Sequence, residues 1–410
     1  MSKEKLAIFG GTPVRTTPFP ERRPYDEADV REVTEAVMSQ NLFMRPDYKI
    51  AQFESEFAAK YGVAYAATGT SGTSVLHMAI AAVDAEPGDE VIVSPVTDFG
   101  TVCGVLHQGL IPVIADWAPG MLNTDAADIE RKITDRTRAI IVVHLFGTPC
   151  DMDAIMAVAR KHNIVVIEDC CQAYFTYYKG KLAGTMGDMA CFSMQETKHL
   201  PVGEGGVAIS NNPEFARKMK LFRDKGFANR YEGGPRAYVM LAMNYRMNEV
   251  TGALALSQLR KVEATVEKMT RLGNLLTERI KDIDGITAAP TLDGCTHSYW
   301  AYPFYITGFD TVEFVNALQA EGIEADWGYT KDPIYTCMLS LCEHKTFGNS
   351  GYPLVSQYRD APVTYSKGLC PVAERELKIL GDLRFEDTWT EQDIEDVAAA
   401  FHKVAEGLRK

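Results

Sequence analysis

Short apolar runs, many of them β-branched, recur through the first half of the chain. They fall at Val63–Thr68, Glu90–Ser94, Ile111–Ala115, Ala139–His144, Ile164–Glu168, Met189–Ser193 and Gly206–Ser210. Amphipathic runs lie between them, at Ser74–Val83, Ala126–Ile133 and Met152–His162. Strand-length apolar runs alternating with helices predict βαβ units and a mainly parallel sheet covered on both faces. The predicted class is α/β. Ligands of such sheets bind beyond the carboxyl ends of the strands.

The pattern changes after N-Y-R-M-N-E, residues 244–249. Val250–Ile283 reads as one long, charge-laced helix, and a domain boundary is placed within it. This gives a large domain over 1–260 and a smaller C-terminal α+β domain over 261–410. The small domain has a predicted strand at Ser298–Ile306 and helices at Val312–Glu321 and Glu391–Leu408. Asp332–Lys367, rich in Tyr, Gly, Pro and Ser, reads as a long functional loop rather than a packed element.

Composition narrows the function classes. The 410 residues are 46% hydrophobic and 24% charged, ordinary for a soluble globular protein. No apolar run approaches the ~18–20 residues that span a bilayer. The N-terminus lacks the apolar core of a secretory signal, so a cytoplasmic location is expected. The formal net charge of −13 argues against a nucleic-acid partner. None of the nine cysteines forms a C-x-x-C pair, and the eight histidines show no metal-ligand spacing. No metal is expected.

The informative chemistry is one lysine. Lys198 lies in C-F-S-M-Q-E-T-K-H-L-P-V-G-E-G-G, five residues after Ser193. Upstream, I-V-V-I-E-D delivers Asp169 at a strand end, and Gln172 follows three residues later. Pyridoxal phosphate (PLP) needs such a set: a lysine amine for its aldehyde, a carboxylate to keep the pyridine nitrogen protonated, and hydroxyls and N–H groups for its phosphate. The run Thr70-Ser71-Gly72-Thr73-Ser74 opens a predicted helix, where small hydroxyl residues are first of all a capping signal. The same helix end presents free N–H groups to a phosphate. Asp169 alone reads first as a helix cap. Lys198 alone reads as a surface lysine. His199, the alternative base, is secondary.

These motifs, taken together, resemble the DegT/StrS family of PLP-dependent aminotransferases, which act on keto-sugars and keto-cyclitols. The resemblance rests on L-A-I-F-G-G-T-P-V-R, G-T-S-G-T-S, V-H-L-F-G-T-P-C-D-M-D-A-I, I-E-D-C-C-Q-A, G-D-M-A-C-F-S-M-Q-E-T-K, G-E-G-G and N-Y-R-M-N-E. It implies the type I aminotransferase fold, with a mainly parallel seven-stranded sheet, and a homodimer with shared active sites. It implies that Lys198 holds the cofactor as a Schiff base and shuttles the proton. Asp169 pairs with the pyridine nitrogen, and Gln172 lies near the ring hydroxyl. Ser71, Gly72, Thr73 and Ser193 hold the phosphate, and Asn244 of a second subunit reaches it. The family places an aromatic ring on the cofactor face directly after a threonine. Here Asp98 occupies that position in S-P-V-T-D-F-G-T, so either the loop shifts and Phe99 stacks, or another residue covers the face and Phe99 is plain core.

The expected reaction moves an amino group from glutamine or glutamate to a polyol ketone. G-G-T-P-V-R and H-L-F-G-T-P-C-D-M-D-A-I look closer to the aminocyclitol branch, of the glutamine:scyllo-inosose type. That branch implies a place in aminoglycoside-like biosynthesis. Tyr335, His344 and Tyr352 of the long loop offer polar and flat groups suited to a polyol. One competing reading is a sugar dehydratase, whose relatives replace the lysine with histidine. Another is a non-catalytic PLP-binding regulator. A nicotinamide enzyme is disfavoured, because no G-x-G-x-x-G follows a predicted strand.

Overall fold

The computed structural model describes residues 5–358 and 361–409. Its centre is a seven-stranded sheet: β1 (Tyr65–Gly69), β2 (Glu90–Val93), β3 (Ile111–Ile114), β4 (Thr137–Val143), β5 (Val165–Asp169), β6 (Met189–Ser193) and β7 (Gly206–Ser210). The spatial order is β1-β7-β6-β5-β4-β2-β3. β7 runs antiparallel to both neighbours, and every other pairing is parallel. All seven predicted apolar runs became strands of this sheet. They are apolar throughout because helices bury both faces.

One face packs under the helices Gly72–Val83 and Gly100–His107, through Val75, Met78, Val102 and Val105. The opposite face has two cores. Phe53, Phe57, Phe192 and Leu256 form one, and Ile140, Val142, Ile155 and Val166 form the other.

The predicted helix Val250–Ile283 is two helices, Glu249–Leu259 and Val262–Ile280. No Gly or Pro marks the break at Arg260 and Lys261. Tertiary contacts hold it. Gln258 Nε2 donates to the Pro24 carbonyl and to Asp29 Oδ1, both at 2.9 Å, and Lys261 also pairs with Asp29. The second helix bridges two cores. Val262 and Val266 join the large-sheet side, while Met269, Leu272, Leu276 and Ile280 pack on a second sheet. That antiparallel sheet orders Ile286–Ala288, Tyr302–Ile306, Leu380–Leu383 and Ala325–Trp327. The N-terminal segment returns to it through Leu6.

The reading of Asp332–Lys367 as unpacked loop is corrected. It carries helical turns at Ile334–Cys337 and Leu339–Cys342. Ile334, Tyr335, Leu341 and Leu354 are buried in the large-sheet core. Its Arg359 and Asp360 lie outside the described residues. The predicted strand at Ser298–Ile306 begins only at Tyr302, because Ser298–Ala301 turn through the site described next.

Candidate active site

At the carboxyl ends of β5 and β6 lies a cavity of about 430 Å³. Ser71, Gly72, Thr73, Asp169, Gln172, Ser193 and Lys198 all line it. Strand alternation sorts the two acids that end β5, since successive side chains face opposite sides of a sheet. Glu168 turns away into a closed network. It contacts His144 Nε2 at 3.0 Å and accepts from the N–H groups of Gly184, Met186 and Gly187. Asp169 faces the cavity.

Asp169 is buried and held by two donors. Thr101 Oγ1 donates to its Oδ2 at 2.7 Å, and the Cys171 N–H donates to Oδ1 at 3.1 Å. Because the Thr101 proton is committed, Thr97 is the donor in the 2.7 Å contact between the two hydroxyls. Gln172 is fixed at both ends. Its Oε1 accepts from the Phe146 N–H at 2.7 Å, and its Nε2 donates to the Tyr329 hydroxyl at 3.0 Å.

The helix Gly72–Val83 aims its N-terminus into the same space. Ser71 and Ser74 form a reciprocal capping box. The hydroxyls therefore serve the cap, as the plainer reading of this run held. Among the described residues, the N–H groups of Gly72 and Thr73 have no acceptor. A Cβ at Gly72 would lie 2.7 Å from Ser193 Cβ, so glycine is what lets β6 approach the helix end. This cradle of open N–H groups, with hydroxyls beside it, fits a phosphate.

Lys198 Nζ sits 4.0 Å above the centre of the Trp300 ring. Burial lowers its pKa, and the Arg384 charge adds to the shift, while Cys171, Asp169 and Asp98 oppose it. A lowered pKa favours the neutral, nucleophilic amine. The Lys198 loop is held from behind. Arg22 donates to the carbonyls of Glu196 and Lys198, each at 2.5 Å, and Trp300 Nε1 donates to the Thr197 carbonyl at 2.9 Å. His199 does not line the cavity. It is buried, with Nε2 on the Ser298 carbonyl at 3.0 Å.

Other sequence candidates lie elsewhere. Phe99 packs against the core under the sheet and is absent from the cavity wall, so of the two readings offered for it, plain core is the one the packing matches. Asp98 does line the wall, with Oδ1 accepting from the Gly100 N–H. Asn244 is exposed and outside the cavity. Tyr335, His344 and Tyr352 are outside it too. The Tyr335 hydroxyl is spent on Glu374, and His344 Nε2 contacts the Val363 carbonyl at 2.6 Å. Sequence reasoning missed Thr97, Thr101, Trp300, Tyr329 and Arg384. The last three come from distant segments with no local motif. Thr97 and Thr101 stand in the quoted S-P-V-T-D-F-G-T, but Thr97 precedes the helix Gly100–His107, so helical spacing gave no signal that pairs them.

This fold and this lysine–aspartate cavity define a class, the PLP-dependent aminotransferases of type I fold. More narrowly, residues 24–347 match the model of the DegT/DnrJ/EryC1/StrS aminotransferase family, and the chain belongs to that family. It is 30% identical to an L-glutamine:2-deoxy-scyllo-inosose aminotransferase of Streptomyces paromomycinus, over 97% of each chain. It is 37% identical to a GDP-perosamine synthase of Caulobacter vibrioides, over 67% of this chain and 75% of that one. Among solved structures, an aminotransferase from Psychrobacter cryohalolentis superposes with a TM-score of 0.81 at 28% identity, covering 94% of this chain and 98% of its own. Among the described residues, no helix is long and apolar enough to cross a membrane.

Proposed function

We propose that this cavity binds PLP and moves an amino group from glutamine or glutamate to a keto-cyclitol or keto-sugar. One observation carries the reading: an amine of lowered pKa, a buried carboxylate and an open helix N-terminus converge on one cavity. When bound, PLP supplies an electron sink that stabilises negative charge at the donor Cα. Asp169 would hold the pyridine nitrogen protonated, with Thr101 and Cys171 keeping the carboxylate aimed. The Gly72 and Thr73 N–H groups, with Ser193, would hold the phosphate. Lys198 Nζ would hold the aldehyde carbon at rest. Once displaced by the donor amine, it would carry the proton from the donor Cα. Arg384 has its guanidinium 4.2 Å over the Trp300 ring and, among the described residues, no carboxylate partner. It suits the donor carboxylate.

Of the relatives described above, one is named for a cyclitol substrate and one for a GDP-sugar product, and both kinds of acceptor are polyol ketones or their derivatives. Placement in aminoglycoside-like biosynthesis, a cytoplasmic location, and the division into 1–260 and 261–410 are part of the same proposal. So is a homodimer in which Asn244 reaches the neighbouring phosphate. The dehydratase alternative gains no support, since Lys198 rather than His199 faces the cavity.

The test has two steps. Incubation with glutamine or glutamate alone should bleach the cofactor absorbance. Adding an inosose or a nucleotide-linked keto-sugar should restore it and yield an aminated product by mass. Bleaching only with aspartate or alanine would overturn the donor. Recovery only with simple keto acids would overturn the acceptor class.

A further inference from the structure

Lys198 belongs to neither a helix nor a strand. It lies in the connection between β6 and β7, residues 194–205. Regular hydrogen bonding therefore does not fix its backbone, and each N–H and carbonyl around it needs a partner of another kind. In Glu196, Thr197 and Lys198 every one of these groups has one. The N–H groups are served from within the connection. Glu196 donates to the Gly203 carbonyl at 3.0 Å, Thr197 to Gln195 Oε1 at 2.8 Å, and Lys198 to the Gln195 carbonyl at 2.9 Å. The carbonyls are served from outside it. Trp300 Nε1 donates to the middle one, and Arg22 forks over the outer two, with Nη1 on Glu196 and Nη2 on Lys198.

Both clamps lean on one segment that follows the strand Leu380–Leu383. Arg384 covers the Trp300 ring, and Glu386, two residues on, sets its Oε2 3.3 Å from Arg22 Nε. That nitrogen is buried with no hydrogen-bond partner among the described residues, so Glu386 holds it by charge rather than by alignment. The chain on either side of Arg22 is tied down as well. Phe19 stacks on Trp389 with ring centres 3.9 Å apart, Pro24 accepts from Gln258 Nε2, and the Tyr25 hydroxyl donates to Glu196 Oε2 at 2.8 Å. A planar guanidinium can span two carbonyls at once, whereas an ammonium is a single point.

The chemistry explains why this backbone must not drift. In the reading above, Lys198 Nζ holds the aldehyde carbon at rest and later carries the donor proton. One backbone therefore presents one amine to two places in turn. A misplacement of about 1 Å can cost about a hundredfold in rate. We propose that Arg22 is a positioning residue of the transfer reaction, acting through the Glu196 and Lys198 carbonyls to set where the Lys198 amine stands, with Glu386 as its counter-charge. The inference rests on the aminotransferase reading and adds to it a residue of the N-terminal segment that does not itself line the cavity.

The experiment uses the full-length holoenzyme and Arg22→Gln. kcat should fall about tenfold or more, while the donor KM moves by less than about twofold. Hydrogen exchange read by mass spectrometry should rise about tenfold in peptides covering 194–205 and stay unchanged in β5, both with the cofactor and after it is stripped. A merely structural arginine would loosen both regions or neither, and would not split kcat from KM. Arg22→Lys should regain only part of kcat. An unchanged kcat, unchanged exchange at 194–205, an equal rise across β5, or full recovery in Arg22→Lys would each overturn the proposal. If Arg22→Gln does not fold, Glu386→Gln carries the test. Its kcat should fall about threefold, as suits a partly exposed ion pair, with the rise in exchange again confined to 194–205. No change in either would overturn the proposal equally. Bleaching of the parent enzyme by glutamine or glutamate is followed alongside. A parent that bleaches, beside variants that match it, sinks this inference alone, whereas a parent that no amino acid bleaches sinks the reading beneath it.

Discussion

Thr101 donates its hydroxyl proton to Asp169 Oδ2 at 2.7 Å, and Thr97 donates to Thr101 in turn. The site acid is thus oriented by a relay of two hydroxyls from the segment that opens the helix Gly100–His107. Thr101→Val removes the donor while keeping the shape. A lost hydrogen bond to a buried carboxylate should lower kcat about tenfold, with donor KM changed by less than about twofold. Thr101→Ser should recover most of the loss. Steady-state kinetics decide it, and an unaltered kcat in Thr101→Val would show that the relay is idle.

Lys198→Ala should eliminate the cofactor absorbance typical of a lysine-bound aldehyde and stop multiple turnover. Asp169→Ala should leave that absorbance but slow turnover by about a hundredfold or more. Spectra and rates of the purified variants check both. A normal spectrum and rate in Lys198→Ala would refute the assignment.

Arg384→Gln should raise KM for the donor about tenfold to a hundredfold, as expected for loss of a charge-assisted contact to a carboxylate. The KM for an uncharged acceptor should move far less. Equal changes for donor and acceptor would argue that Arg384 acts only through Trp300.

Asn244 is exposed and does not line the cavity of its own subunit, although the resemblance gives it a phosphate. Mixed dimers of Lys198→Ala with Asn244→Ala subunits should regain about one native site per dimer, as two-fold symmetry requires. Tandem-tag purification isolates the mixed species. If it forms and stays inactive, the shared site is wrong.

Acid should destabilise the protein through buried imidazoles. Burial lowers His77 and His199 to about 4 and His297 to about 3, from an ordinary 6.5. At His297 the neighbouring His199 adds to the effect of burial, and Nδ1 already accepts the Tyr299 N–H at 2.8 Å. The unfolded chain takes up these protons below pH 6.5, while the folded chain resists until about 3 to 4. The stabilisation is therefore complete above pH 6.5 and is lost as pH falls through that window. Tm should drop across it, and His297→Gln should flatten the drop. Calorimetric scans with equal slopes for the two proteins would contradict this.

Much of the frame is local and was legible in the chain. Each strand of the large sheet is a short apolar run, because a sheet covered on both faces needs apolar residues throughout. Asp169, Ser193, Lys198 and the Ser71–Thr73 turn were legible because they sit at strand ends and at a helix start, where local pattern and ligand chemistry coincide. What the chain could not show depends on where distant segments meet. Trp300, Tyr329 and Arg384 are brought to the cavity beside a second sheet whose strand order skips along the sequence. Asp382 faces Asp326 only through strand register. The break at Arg260 depends on side chains reaching Pro24 and Asp29, more than two hundred residues away. Periodicity reports which face of an element is buried; only the packed chain decides what it is buried against.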